Sequence, residues 1–170
     1  PEYEGNIPKL WGNLDARTLV DRYWLTLGRG GYIGHGETFM HPEDELWWGK
    51  GGILRGEAPE RIAFARKIFE ESATNGFEPM SGAMSSAFHR RISAVQDGDV
   101  RIIYFSEHCP GEWAEGMPET DGDWEIDLID VWTMTVTPLE KAGLPKVHPQ
   151  RVTGGGTVTN QVKSAFGLKL

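Results

Sequence analysis

The hydrophobic residues keep one period as far as Gly76 and another beyond it, and this switch sets the fold class. From Asp15 to Leu27 the apolar positions Ala16, Leu19, Val20, Tyr23, Trp24 and Leu27 recur every three or four residues, which lines them along one helical face. Asp15 supplies the N-cap and Gly28 the stop. The run APERIAFARKIFEE predicts a second helix, with Pro59 at its first position and Ile62, Ala65, Ile68 and Phe69 as the buried stripe. Between the two helices, Tyr32 to Glu37 reads as a short strand. Helix, strand, loop and helix in that order are part of an alternating α/β layout.

Beyond Gly76 the pattern becomes β. RISAVQDGDVRIIYFS sets Asp97-Gly98 between two β-rich runs, the strongest short-range hairpin signal a sequence offers. DGDWEIDLIDVWTMTVTPL alternates Trp124, Ile126 and Leu128 against acidic residues and continues through Val136, so Trp124 and Trp132 are expected in a β core. The last stretch predicts a turn at Gly154 to Gly156 and a closing strand. The fold class expected is therefore α/β plus β, the second half being antiparallel and a small sandwich.

The bulk numbers narrow the partners. A chain of 170 residues can bury roughly two thirds of its unfolded surface and so build a real core. Its 17 basic and 25 acidic residues give a formal charge of −8, and the basic ones are scattered, which argues against nucleic acid. The single cysteine, Cys109, excludes an internal disulfide. No apolar run approaches the roughly 18 residues of a membrane span, and the N-terminal stretch lacks basic and apolar leader regions, so no signal peptide is expected in this chain. The cellular address stays open, secreted and periplasmic included.

One segment stands apart from both patterns. Gly30 to Gly52, GGYIGHGETFMHPEDELWWGKGG, combines glycines, two histidines, four carboxylates and a Trp-Trp pair, a mixture suited to a binding surface rather than a packed core. His35 and Glu37 are two apart on a strand and share a face; they either meet a ligand or form a satisfied internal pair. The flanking glycines, which let a ligand or backbone approach, favour the ligand. Trp47 and Trp48 point opposite ways in an extended loop, and either stacks on a sugar ring or simply covers the loop. His35, Glu37 and His41 are poor metal ligands because His41 precedes Pro42 and no fourth ligand stands nearby, so neither a metal nor a cofactor is expected. His108 beside Cys109 lacks the positive surroundings that a reactive thiolate needs. Glu115, Glu119, Asp121 and Asp123 read as a solvated turn.

Four blocks succeed one another with a familiar spacing: YEGNIPKLWGN, GGYIGHGETF, LWWGKGG and GEAPERIAF, with DWEIDLIDVWTMTVTPLE downstream. In this order they resemble the apiosidase-like glycoside hydrolases, cellulase-type barrel enzymes that carry a β-sandwich after the (β/α)8 barrel. The resemblance implies that residues 1–78 are the last two βα units of such a TIM barrel and residues 79–170 the accessory β-sandwich. The first six units would belong to the remaining barrel of a longer parent protein.

The resemblance also implies a function. Enzymes of this kind hydrolyse O-glycosyl bonds in oligo- or polysaccharides, here by a retaining mechanism with two carboxylates about 5 Å apart. The acid/base comes from strand four, outside this chain, and the nucleophile from strand seven, where Glu4, Glu2 or a carboxylate further upstream is the candidate. The alternative for Glu4 is a loop carboxylate that caps or positions its neighbours. Glu4 and Glu37 are thus the catalytic candidates, with His35, Trp47, Trp48, Tyr3 and Asn6 as substrate contacts. The isolated chain is expected to be inactive. A non-catalytic carbohydrate-binding or structural module, or an assembly domain, is the competing reading.

Overall fold

The computed structural model describes residues 2–5, 13–37, 55–80, 92–106, 113–115, 125–138 and 158–160. They form two helices and ten short strands. The chain divides into two compact units, Pro1–Ser106 and Glu107–Leu170.

In the first unit, strand β1 (Glu2–Glu4) is flanked by two parallel neighbours, β2 (Asn13–Leu14) on one edge and β3 (His35–Glu37) on the other. Helix α1 (Ala16–Leu27) connects β2 to β3. Its beginning is as expected: Asp15 is the N-cap, and its carboxylate accepts the Thr18 N–H at 2.7 Å. Its end is as expected too, for the helix stops at Leu27 with Gly28 as its C-cap. Gly28 keeps a right-handed conformation and bonds back to the Trp24 carbonyl, while Gly30, at φ +70°, adopts the left-handed one. The Gly31 N–H then reaches the Thr26 carbonyl and the Gly30 N–H the Leu27 carbonyl, the paired closure of a Schellman motif. Gly28 also serves packing, since a Cβ there would overlap the Ser93 side chain.

The stripe on α1 is buried at Ala16, Leu19, Val20, Tyr23 and Trp24. Trp24, 1% exposed, is the hub. Its ring stacks on Tyr104 at 5.5 Å and meets Phe69 at 5.7 Å and Phe64 at 6.5 Å, tying together α1, the second helix α2 (Ala58–Ser72) and the hairpin that comes after it. Of the stripe expected on α2, Ala65 is fully buried and Ile62, Ile68 and Phe69 are half-buried.

The hairpin forms where Asp97-Gly98 marks it. Strand β4 (Glu78–Pro79) pairs with β5 (Ile92–Asp97), and β5 with β6 (Val100–Phe105), all antiparallel. Asp97 pairs with Val100, so the turn itself is Gly98-Asp99. Gly98 sits at φ +58° and Asp99 is not left-handed, which matches a II′ turn rather than the I′ turn that an Asp-Gly centre would make. β5 is buried from Ile92 to Val95, with the Ser93 hydroxyl donating to the Trp24 carbonyl at 3.3 Å and the Tyr104 hydroxyl to Asp21 at 2.8 Å. This hairpin packs over α1 and lies within the first compact unit, Pro1–Ser106.

Asp97 has a further task. Its carboxylate accepts the backbone N–H groups of Thr74, Asn75 and Gly76 at 2.5, 2.7 and 3.2 Å, tying the turn after α2 to the hairpin. The Asn75 and Thr74 N–H groups above all hold this carboxyl below the ordinary carboxylate value.

In the second unit, β7 (Trp113–Glu115) pairs antiparallel with β10 (Val158–Asn160), the closing strand expected near the C-terminus. β8 (Asp127–Asp130) pairs with β9 (Thr135–Pro138). The Asp130 carboxylate accepts the Trp132 and Thr133 N–H groups at 2.8 and 3.0 Å and shapes the turn between them. Trp132 thus stands, half-buried, in a turn and not in a strand, while Val131 beside it is buried. Trp124 and Gly154 to Gly156 lie outside the described residues. The content is α/β plus β, built from small sheets of two or three strands.

Two of these contacts are open to measurement. Because the Asp97 carboxyl is held below its unfolded value, its contribution is present above that value and is lost as the pH falls from there through the lower, folded one. Asp97→Asn therefore lowers the melting temperature at pH 7, and the gap to wild type closes below about pH 4 in thermal melts. Gly28→Ala, which drives a methyl into Ser93, costs about 1–3 kcal/mol in denaturant titrations.

Candidate functional site

The pairing of β1 with β3 brings together five residues that the sequence singles out, Glu2, Tyr3, Glu4, His35 and Glu37. The parallel register sets Glu2 opposite His35, Tyr3 opposite Gly36 and Glu4 opposite Glu37. In a parallel sheet flanked by helices the carboxyl end of the strands is where ligands bind.

Glu4 is 4% exposed, and its partners are not cations. One oxygen accepts the Glu57 N–H at 2.8 Å and the other the Ala58 N–H at 2.9 Å. These are donors that the first turn of α2 leaves without intrahelical partners, and the helix supplies no side-chain cap of its own, since Glu57 makes none. Glu4 is therefore an N-terminal cap delivered from a strand more than fifty residues earlier, placed where the helix dipole favours a negative charge. Gly56 completes the contact. It holds φ +93°, and a Cβ there would overlap the Glu4 carboxylate. Of the two roles open to Glu4, this is the geometry of the capping one.

His35 is half-buried, and both its ring nitrogens are shielded from solvent with no hydrogen-bond partner among the described residues. Burial pushes its imidazole below the ordinary value, and the charge of Glu4 pulls in the opposite direction without cancelling it. The ring is thus favoured neutral, with one donor and one acceptor to offer. Nearby, the Tyr23 hydroxyl donates to the Ile33 carbonyl at 3.0 Å and fixes the chain just before β3.

Tyr3 lies on β1 between β2 and β3. Asn6, Trp47 and Trp48 lie outside the described residues, as do His41, His108 and Cys109. Among the described residues no three His, Cys, Asp or Glu side chains gather as a metal site would need, and no helix is long and apolar enough to cross a membrane. Sequence reasoning missed the link from Glu4 to Gly56, Glu57 and Ala58. A signal existed: GEAPE opens a helix with Pro59 yet offers no Ser, Thr, Asp or Asn as cap, so its donors had to be met from elsewhere.

Comparison with known proteins adds a class. Residues 89–148 match the model of a family described as Domain of unknown function (DUF5605). The fold matches the crystal structure of a protein described as "a putative glycoside hydrolase" from Bacteroides vulgatus ATCC 8482, with a TM-score of 0.65 and 27% sequence identity over 81% of this chain. The chain spans 28% of the length of that structure. No curated protein matches. The chain is thus similar to a glycoside hydrolase-like structure.

Two measurements probe the site. Glu4→Gln leaves one of the two α2 donors facing an amide NH2 group and lowers stability by about 1–3 kcal/mol in urea unfolding. Since burial depresses the His35 imidazole, acidification through its ordinary value of 6.5 costs the fold stability, and this step is absent from the pH–stability profile of His35→Asn.

Proposed function

We propose that this chain is the C-terminal part of a retaining glycoside hydrolase of the cellulase-type barrel class, in which it supplies the last two βα units and the accessory β region. The observation that carries the reading is the match to a glycoside hydrolase-like structure across 81% of the chain. The local geometry supports it: β1 and β3 are adjacent and parallel with α1 between them, and α2 comes next, the order of two successive βα units.

In this reading the carboxyl ends of β1 and β3 form part of the rim of a glycan-binding cleft. Glu37 is a carboxylate that the chain offers at this rim, while the nucleophile comes from the strand-seven segment at or before β1 and the acid/base from strand four of the remaining barrel of the parent protein. The neutral His35 exchanges hydrogen bonds with sugar hydroxyls, as do Tyr3 and Asn6. Trp47 and Trp48 offer indole faces on which the apolar side of a sugar ring stacks. A double displacement needs both carboxylates on one rigid frame, so the chain alone binds without cleaving.

The test is hydrolysis of a panel of plant-cell-wall oligosaccharides by the chain and by a version extended upstream to a full barrel. Cleavage by the extended protein only, reduced about 100-fold or more by Glu37→Gln, is the expected result. If neither protein cleaves while the short chain still binds glycans, a carbohydrate-binding module replaces the enzyme.

A further inference from the structure

We infer that Glu4 is a positioning residue, not the attacking carboxylate: it fastens the carboxyl end of β1 to the first turn of α2 and, through the β1–β3 register, fixes where Glu37 and His35 stand. The inference rests on the hydrolase reading and assigns a role within that site. An attacking carboxylate must present a lone pair to an anomeric carbon at about 3 Å. Both Glu4 oxygens are instead engaged by backbone N–H groups, at 2.8 and 2.9 Å, and the side chain is almost fully enclosed.

The surroundings are built for that engagement. Gly56 takes a left-handed φ and carries no side chain at the one place where a methyl would strike the carboxylate. Glu57, the cap residue of α2, makes no cap of its own, and Pro59 stands in the first turn with no N–H to satisfy. On the other side, Glu4 is the register partner of Leu14 in β2 and of Glu37 in β3, so a shift of its backbone is passed directly to β3. A displacement of about 1 Å in such a frame is enough to cost on the order of 100-fold in turnover.

Loosening the clamp from either side should therefore have the same effect. Glu4→Gln and Gly56→Ala are compared in the full-length protein that carries this chain, with Glu4→Asp as a milder variant in case either fails to fold. The readouts are kcat, KM, the pH–rate profile and recovery by azide. The positioning role predicts that Glu4→Gln and Gly56→Ala each lower kcat by about 10–100-fold. It also predicts that the double variant is little worse than either single, because both break one contact. The pH–rate profile keeps its shape, Glu4→Asp retains more activity than Glu4→Gln, and azide restores nothing to Glu4→Ala.

The inference is overturned if Glu4→Gln abolishes turnover while Gly56→Ala stays near wild type, and azide revives Glu4→Ala. In that case azide attacks the anomeric carbon in place of the missing carboxylate, a glycosyl azide forms, and the leaving oxygen departs with the proton of the general acid. If the wild-type protein cleaves nothing, the hydrolase reading itself has failed and the positioning role falls with it. That outcome is told apart from the other by the wild-type control alone.

Discussion

A buried carboxylate without a cation partner among the described residues would be costly on its own, and the first compact unit is arranged so that Glu4 does not stand alone. Two backbone N–H groups at the start of α2 meet its two oxygens, and the donors and the acceptor relieve each other's desolvation. The arrangement determines where α2 begins, why Gly56 has to lack a side chain, and which end of β1 lies under the helix. The far end of α2 is treated alike, for the Asp97 carboxylate gathers the three N–H groups just beyond the helix. Two acidic side chains from different strands thus fasten the two ends of one helix.

Between those ends the helix is held by apolar packing. Trp24 brings Phe64 and Phe69 of α2 and Tyr104 of β6 against α1, and its indole nitrogen finds no acceptor among the described residues, so shape and apolar area carry the contact. The polar ties at the rim of this core are side chain to main chain or to a single carboxylate: Ser93 to the Trp24 carbonyl, Tyr104 to Asp21, Tyr23 to the Ile33 carbonyl. They orient the hairpin and the approach to β3, and so set the frame on which His35 is presented.

For function, the same frame separates two kinds of residue that the sequence alone presents as equals. Glu4 and His35 stand within electrostatic reach of each other, yet one is saturated by backbone donors and the other has both ring nitrogens unpartnered among the described residues. Saturation suits a structural tie, and an unpartnered neutral imidazole suits a ligand.

Period and punctuation sufficed to find α1 with its Asp15 cap, α2 with Pro59 in its first turn, the hairpin at Asp97 and the closing strand near the C-terminus, because each depends on residues within a few positions of one another. Gly28 reads as the helix stop and is the C-cap, and Gly30 at φ +70° turns the chain just beyond it. Trp132 reads as a strand residue, but Asp130 captures its N–H in a turn. Where the hairpin packs is a tertiary matter, for Trp24 stacks on Tyr104 and holds it against α1. Sequence by itself therefore determined the elements, since periodicity, caps and turn chemistry act over one or two turns of chain. Only the tertiary structure decided that Glu4 caps α2, since that bond joins residues 53 and 54 positions apart and no local pattern encodes which distant donor a carboxylate will meet.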